Sequence, residues 1–214
     1  MRSSISARFS AKLMGHFQNM SGRSKYRMLS AVREASRQMP SPWPGAFFLT
    51  DPNRVSDPIA PTETLPAGTG VIYRHFGASD KVETGRALRH ACNKRGIPLL
   101  IANDPMLAKH IKADGVHWPE ARASEARKWQ GQFLFQTQSA HSPRALREAV
   151  CEAVLYSAIF PSNSPSAGPA LGPIKFRTLC HQSNALIYGL GGINGNTASA
   201  ISNASGLAGI EGFL

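Results

Sequence analysis

The sequence predicts an α/β fold, a (β/α)8 barrel of the TIM type, and three observations carry that expectation. From Ala46 onward, eight short apolar runs alternate with stretches of helical pattern. Repeated β–α units imply a parallel sheet with right-handed crossovers. No G-x-G-x-x-G fingerprint follows an early strand, which weakens an open doubly wound sheet. Late in the chain, Leu186-Ile187-Tyr188-Gly189-Leu190 runs into Gly191-Gly192-Ile193-Asn194, a glycine pair opening a helix start. Bare N–H groups at such a start suit an anion, and barrels commonly hold phosphate on the loops after strands 7 and 8. An ordinary Gly-rich strand-to-helix turn is the competing reading of that pair.

Taken in order, residues 24–39 read as an amphipathic helix. Tyr26, Leu29, Val32, Ala35 and Met39 share one stripe, with Arg27, Glu34 and Arg37 away from it. Pro40, Pro42 and Pro44 stop it. The strand runs are Ala46–Thr50, Gly70–His75, Pro98–Ala102, Gly115–His117, Gln132–Thr137, Ala153–Ile159, Ala185–Gly189 and Leu207–Glu211. Helical stretches between them are Asp80–Arg95, Pro105–Lys112, Arg122–Trp129, Pro143–Val150, Pro173–His181 and Asn194–Asn203. Between the first two strands, Pro52–Ala67 leaves room for a turn or two of helix. After the eighth run the sequence reaches Leu214, so an eighth C-terminal helix is expected to be missing. An apolar barrel face left bare is costly. Strand 8 neighbours strand 1 in a closed barrel, so the helix at 24–39 is expected to fill the slot. The chain thus divides into a basic extension, residues 1–44, with one amphipathic helix, and a barrel, residues 45–214.

Composition bounds the function. The 214 residues are 42% hydrophobic, which fits one globular domain with a real core. No apolar run approaches the ~20 residues of a membrane helix. Net charge is +11, yet residues 1–40 hold eight Lys or Arg against one Glu, so the barrel itself is only mildly basic. No aromatic-interleaved RNA motif follows the leader, which argues against nucleic acid as the partner. Cys92, Cys151 and Cys180 lie far apart without metal spacing and read as packing residues of a reducing compartment. Residues 1–23 hold Arg and Ser but no Asp or Glu, which fits an organelle transit peptide. A disordered tail or an over-long start fits equally, since Met20 and Met28 could also begin the protein. The expected location is the cytoplasm, or an organelle matrix if the leader is a transit peptide.

Seven short motifs at predicted strand ends resemble one family, thiamine-phosphate synthase and its relative, the thiazole tautomerase TenI. They are Phe48-Leu49-Thr50-Asp51, Pro98-Leu99-Leu100-Ile101-Ala102-Asn103-Asp104, Ala113-Asp114-Gly115-Val116-His117, Ser139-Ala140-His141-Ser142, Phe160-Pro161-Ser162-Asn163-Ser164, Pro169-Ala170-Leu171-Gly172 and Gly191-Gly192-Ile193-Asn194. The likeness runs from about Phe47 to Phe213. It implies a barrel of thiamine biosynthesis whose partners are a thiazole phosphate and a pyrimidine diphosphate. It also implies Mg²⁺ to aid loss of pyrophosphate. By that resemblance, Asn103 binds pyrimidine, Ser139 binds substrate, Asp104 binds Mg²⁺, and Arg74 is catalytic. Ser162 and Ser164 hold the thiazole phosphate, with Gly191, Gly192, Ile210 and Glu211 around the same phosphate. His141 is the proton carrier of the tautomerase branch, and histidine suits that work near neutral pH.

The departures point away from the synthase branch. Where the synthase pattern is Gln-x-Arg-x-Lys, this chain has Ile72-Tyr73-Arg74-His75-Phe76. The second metal aspartate falls on Arg122, although Glu120 is nearby, which weakens any Mg²⁺ site, and a lysine after the hydroxyl pair falls on Pro165. Glu211 puts an anion beside the expected phosphate. Structural alternatives stand beside each assignment. Asp104 fits a helix cap with Pro at the next position, His117 a packed strand-end histidine, and His141 the approach to a helix start. Ser162 and Ser164 fit a plain loop, and Asp114 a turn into strand 4. Trp43, Trp118 and Trp129 fit core or rim. A divergent synthase or a tautomerase-like isomerase is the leading expectation. A non-catalytic phosphate-ligand-binding or regulatory barrel is the alternative, and a homo-oligomer is compatible with either.

Overall fold

The computed structural model describes residues 22–162 and 168–214. Eight parallel strands close into one barrel in sequence order: β1 (Ala46–Leu49), β2 (Thr69–Tyr73), β3 (Leu99–Ala102), β4 (Gly115–Trp118), β5 (Phe135–Ala140), β6 (Ala153–Ser157), β7 (Leu186–Leu190) and β8 (Gly206–Gly209). Closure is made where Ala46 pairs with Thr69 on one side and with Leu207 on the other. The strand residues alternate between two cores, as the two-residue pleat requires. Phe47, Leu49, Ile72, Leu100, Leu155 and Tyr188 fill the barrel interior. Phe48, Val71, Tyr73, Leu99 and Ile101 face the surrounding helices. Trp43 closes the lower end, its ring 4.8 Å from that of Phe135 and its indole N–H donating to Glu152.

The helices between strands are α2 (Ile59–Thr64), α3 (Lys81–Arg95), α4 (Pro105–His110), α5 (Pro143–Arg147) and α6 (Pro173–Gln182). Proline opens α4, α5 and α6, where its missing N–H has no helical partner anyway. Asp104 and Ser142 cap α4 and α5 by accepting from Leu107 N–H and Ala145 N–H.

Three predicted segments differ in form. Glu120–Trp129 is a 3₁₀ helix. Its buried Ala123 and Ala126 and half-buried Trp129 recur every three residues, the 3₁₀ period. Only Ala198–Ala200 of the stretch 194–203 is helical, again 3₁₀. There Asn194 and Thr197 spend their side chains on local backbone groups, which competes with a regular helix. The fifth strand starts at Phe135 rather than Gln132, because Gly131 turns with φ 74° and Gln132 still belongs to that turn.

Helix α1 (Gly22–Gln38) packs on the outside of β8 and β1 and against the Ala198–Ala200 turn, filling the expected slot. Its buried stripe is Met28, Ala31, Val32 and Ala35. Tyr26 does not belong to that stripe and is 70% exposed. The helix is rotated so that the small alanines meet the barrel wall and the bulky ring stays outside. Val32 is fully buried, so Val32→Asp places an unpaired charge in this seam. We expect a loss of about 3 kcal/mol or more, roughly 6–12 °C in Tm, while exposed Arg33→Asp stays within about 0.5 kcal/mol. Equal thermal melts for both variants would mean that α1 is not part of the cooperative fold.

Among the described residues no helix is long and apolar enough to cross a membrane. Burial pushes the thiols of Cys92, Cys151 and Cys180 up to about 12, so they are unreactive packing groups.

Candidate active site at the C-terminal end of the barrel

The strand ends open into a cavity of about 740 Å³. Arg74, Asn103, Ser139, His141, Ser162, Gly191, Gly192, Ile210 and Glu211 all line it. The strand order thus brings together residues that lie as far apart in sequence as Arg74 and Glu211. Ser164 lies outside the described residues. Asp104 is not part of the wall.

Arg74 leaves the end of β2 and is fixed from three sides. Its backbone N–H donates to Thr50 Oγ1 at 2.9 Å, its Nε to Thr50 O at 2.7 Å, and its Nη2 to Asp51 Oδ2 at 3.1 Å. Burial lowers its pKa, and Asp51 opposes that, so the group stays a rigid cation. Phe76 stands over it, 67% exposed and with φ 46°, its ring centroid 5.4 Å from the guanidinium carbon. A positive φ in a bulky residue is a strained backbone at the cavity mouth.

Asn103 also has a positive φ, 57°, which asparagine tolerates, and its Oδ1 accepts from Arg122 Nη1 at 2.8 Å. Asp104 beside it is fully engaged. Oδ1 takes the Leu107 N–H, while Oδ2 takes Lys81 Nζ at 2.7 Å with His75 Nε2 at 3.6 Å. Burial would raise this carboxyl, but Lys81, the Leu107 N–H and His75 together hold it below the usual carboxylate range. The position that the resemblance gives to a second metal aspartate is Arg122, and it too presents a cation. Among the described residues no group of three His, Cys, Asp or Glu side chains could hold a metal ion. The residues present therefore do not fit a Mg²⁺ site: Asp104 caps a helix and pairs with an ammonium.

His117 is buried at the end of β4 between two β5 hydroxyls, Nδ1 2.8 Å from Thr137 Oγ1 and Nε2 3.1 Å from Ser139 Oγ. Burial, and secondarily Arg74, push its pKa down to about 3. It is a neutral ring that sets the Ser139 hydroxyl. His141, by contrast, is half exposed. Glu120 Oε2 accepts both its backbone N–H and its Nδ1, each at 2.8 Å. An ionised carboxylate only accepts, so Nδ1 carries a hydrogen and Nε2 is left as the ring's acceptor.

The glycine pair proves to be needed for the chain path. Gly191 and Gly192 have φ 95° and 66°, and a Cβ on Gly192 would strike Phe160 Cβ and Pro161 O. Substitution there disturbs packing before it tests phosphate binding. Glu211, the anion in the expected phosphate corner, faces Arg54 Nη1 at 3.7 Å. Arg54 and Lys81 carried no motif, and Glu120 was visible only as a carboxylate near a lost aspartate. All three act through partners 21 or more residues away.

A family model described as thiamine monophosphate synthase matches residues 49–213. A thiamine-phosphate synthase of Methylococcus capsulatus is 34% identical over 87 residues, 38% of this chain and 39% of that relative. One of Bacillus velezensis is 27% identical over 124 residues, 53% of this chain and 55% of that relative. The chain thus spans about two fifths to just over half of the length of these curated relatives. A thiamine phosphate pyrophosphorylase structure from Pyrococcus furiosus superposes with a TM-score of 0.63 at 17% identity, covering 77% of this chain and 84% of that one. FabK from Thermotoga maritima gives 0.62 at 15% identity, covering 79% and 61%. Likeness at these identities shows the barrel and no more.

Proposed function

Because this chain belongs to the thiamine monophosphate synthase family, we propose that its cavity binds a phosphorylated thiazole in thiamine biosynthesis and moves a proton on it through His141. The observation that carries this reading is His141 in the cavity wall, its Nδ1 held by Glu120. With Nδ1 tied to Glu120, Nε2 is free to accept a proton from one carbon of the ligand and return it to another. Glu120 stabilises the imidazolium formed in between. The reaction is an isomerisation and needs no second substrate.

Pyrophosphate displacement asks for more. The charge that builds on a departing diphosphate needs cations or a metal. Phe76 and Pro165 offer none where lysines are expected from the family pattern. Asp104 already holds Lys81, which leaves it poorly placed to hold Mg²⁺. The synthase reading keeps one favourable observation: Arg74, Asn103 and Ser139 line the cavity together. Product analysis separates the two. The purified chain is incubated with thiazole phosphate, with and without pyrimidine diphosphate, Mg²⁺ or chelator. We expect isomerised thiazole phosphate insensitive to chelator and little thiamine phosphate. Robust Mg²⁺-dependent thiamine phosphate formation would overturn the isomerase reading. Binding without either product would favour a non-catalytic barrel.

A further inference from the structure

Arg54 lies on the loop after β1 and forms part of the cavity wall. Its Nη1 is 3.7 Å from Glu211 Oε1, and its Nε is 3.8 Å from Asp51 Oδ2. Asp51 Oδ2 also takes Arg74 Nη2, so a row of alternating charges runs Arg74–Asp51–Arg54–Glu211 along the rim. Both Arg54 contacts are longer than hydrogen bonds. The two partners differ in setting: the Arg54 side chain is 20% exposed and that of Glu211 is 59% exposed. Arg54 is thus a partly buried guanidinium with only loose anionic company, sharing the cavity with the corner built by Gly191, Gly192, Ile210 and Glu211.

We propose that Arg54 is the cation that receives the ligand's phosphate, and that Glu211 is an internal competitor that the phosphate displaces. This rests on the phosphorylated-ligand reading above. A loose ion pair with one partner in solvent is worth little. A phosphate offers more charge and several acceptor oxygens to the planar guanidinium fork. Asp51 lies on the Nε side, so the exchange asks only the Nη groups to change partner. The anion that the sequence places in the phosphate corner then has a use: it keeps Arg54 turned toward that corner when no ligand is present.

The two side chains should therefore act with opposite sign. Calorimetry compares thiazole phosphate, the unphosphorylated thiazole alcohol and inorganic phosphate on the full chain, on Arg54→Gln and on Glu211→Gln. Both positions are off the core, and thermal melts confirm folding. Arg54→Gln is expected to weaken both phosphates at least tenfold and leave the alcohol unchanged. Glu211→Gln is expected to tighten both phosphates several-fold, and the double variant to match Arg54→Gln. Unchanged phosphate affinity in Arg54→Gln, or weaker phosphate binding in Glu211→Gln, overturns the proposal. If neither thiazole binds any of the proteins, the thiazole reading fails. Inorganic phosphate then still decides the Arg54 assignment by the same ordering.

Discussion

His141→Ala is expected to slow isomerisation of the thiazole phosphate by about 10²–10⁴-fold, the usual cost of losing a general acid–base group. The loss should fall on kcat, because His141 lies apart from the Arg54–Glu211 corner that we assign to the phosphate. Glu120→Gln should have a smaller effect, on the order of tenfold. Its amide oxygen still accepts from the His141 backbone N–H, but the charge that stabilises imidazolium is gone. Folding should barely change in either variant, since the pair is 48% and 40% exposed and such ion pairs contribute little. Deuterium incorporation into the thiazole in heavy water, followed by NMR, reads the proton step directly. An exchange rate in His141→Ala equal to that of the unaltered chain would remove His141 from the chemistry.

What the sequence made legible was periodic. Each strand is a mostly buried run, and α4, α5 and α6 open on a proline, so order and type could be read locally. The slot for α1 was legible too, from adjacency of β8 and β1. Its rotation was not: Tyr26 and Met28 differ by two positions, and only the wall's shape decides that alanines face inward. The charges of the site were harder still. Lys81 meets Asp104 across 23 residues, and Glu120 meets His141 across 21. Such pairs leave no spacing pattern, because loops from different β–α units make them. The resemblance supplied a metal role for Asp104, and only the placement of Lys81 and the helix cap shows that both its oxygens are taken. Conversely, Glu211 looked like an obstacle in the sequence, and Arg54 on the neighbouring loop gives it a partner.

The stability of the barrel should fall as pH drops from about 6.5 toward about 3, and His117 should carry a large part of that slope. Its folded pKa is depressed to about 3 by burial, with Arg74 adding to it. In the unfolded chain histidine titrates near ~6.5. Above that pH the ring is neutral in both states and contributes no pH dependence. Below it the unfolded state binds a proton that the folded state refuses, so unfolding gains up to ~1.4 kcal/mol per pH unit. His75, also lowered by burial, adds in the same direction. Urea melts at pH 7, 5.5 and 4 compare the unaltered chain with His117→Gln, which keeps polar groups between Thr137 and Ser139 but cannot titrate. The variant should be the less stable at pH 7 and lose part of that deficit by pH 4. Parallel pH profiles would show that His117 is not the refused proton site. The same neutrality bears on the ligand. Because His117 stays uncharged in the folded barrel, Ser139 keeps its hydrogen bond across this range. Acid weakening of ligand binding should then trace to protonation of the phosphate, and not to the hydroxyl that His117 holds.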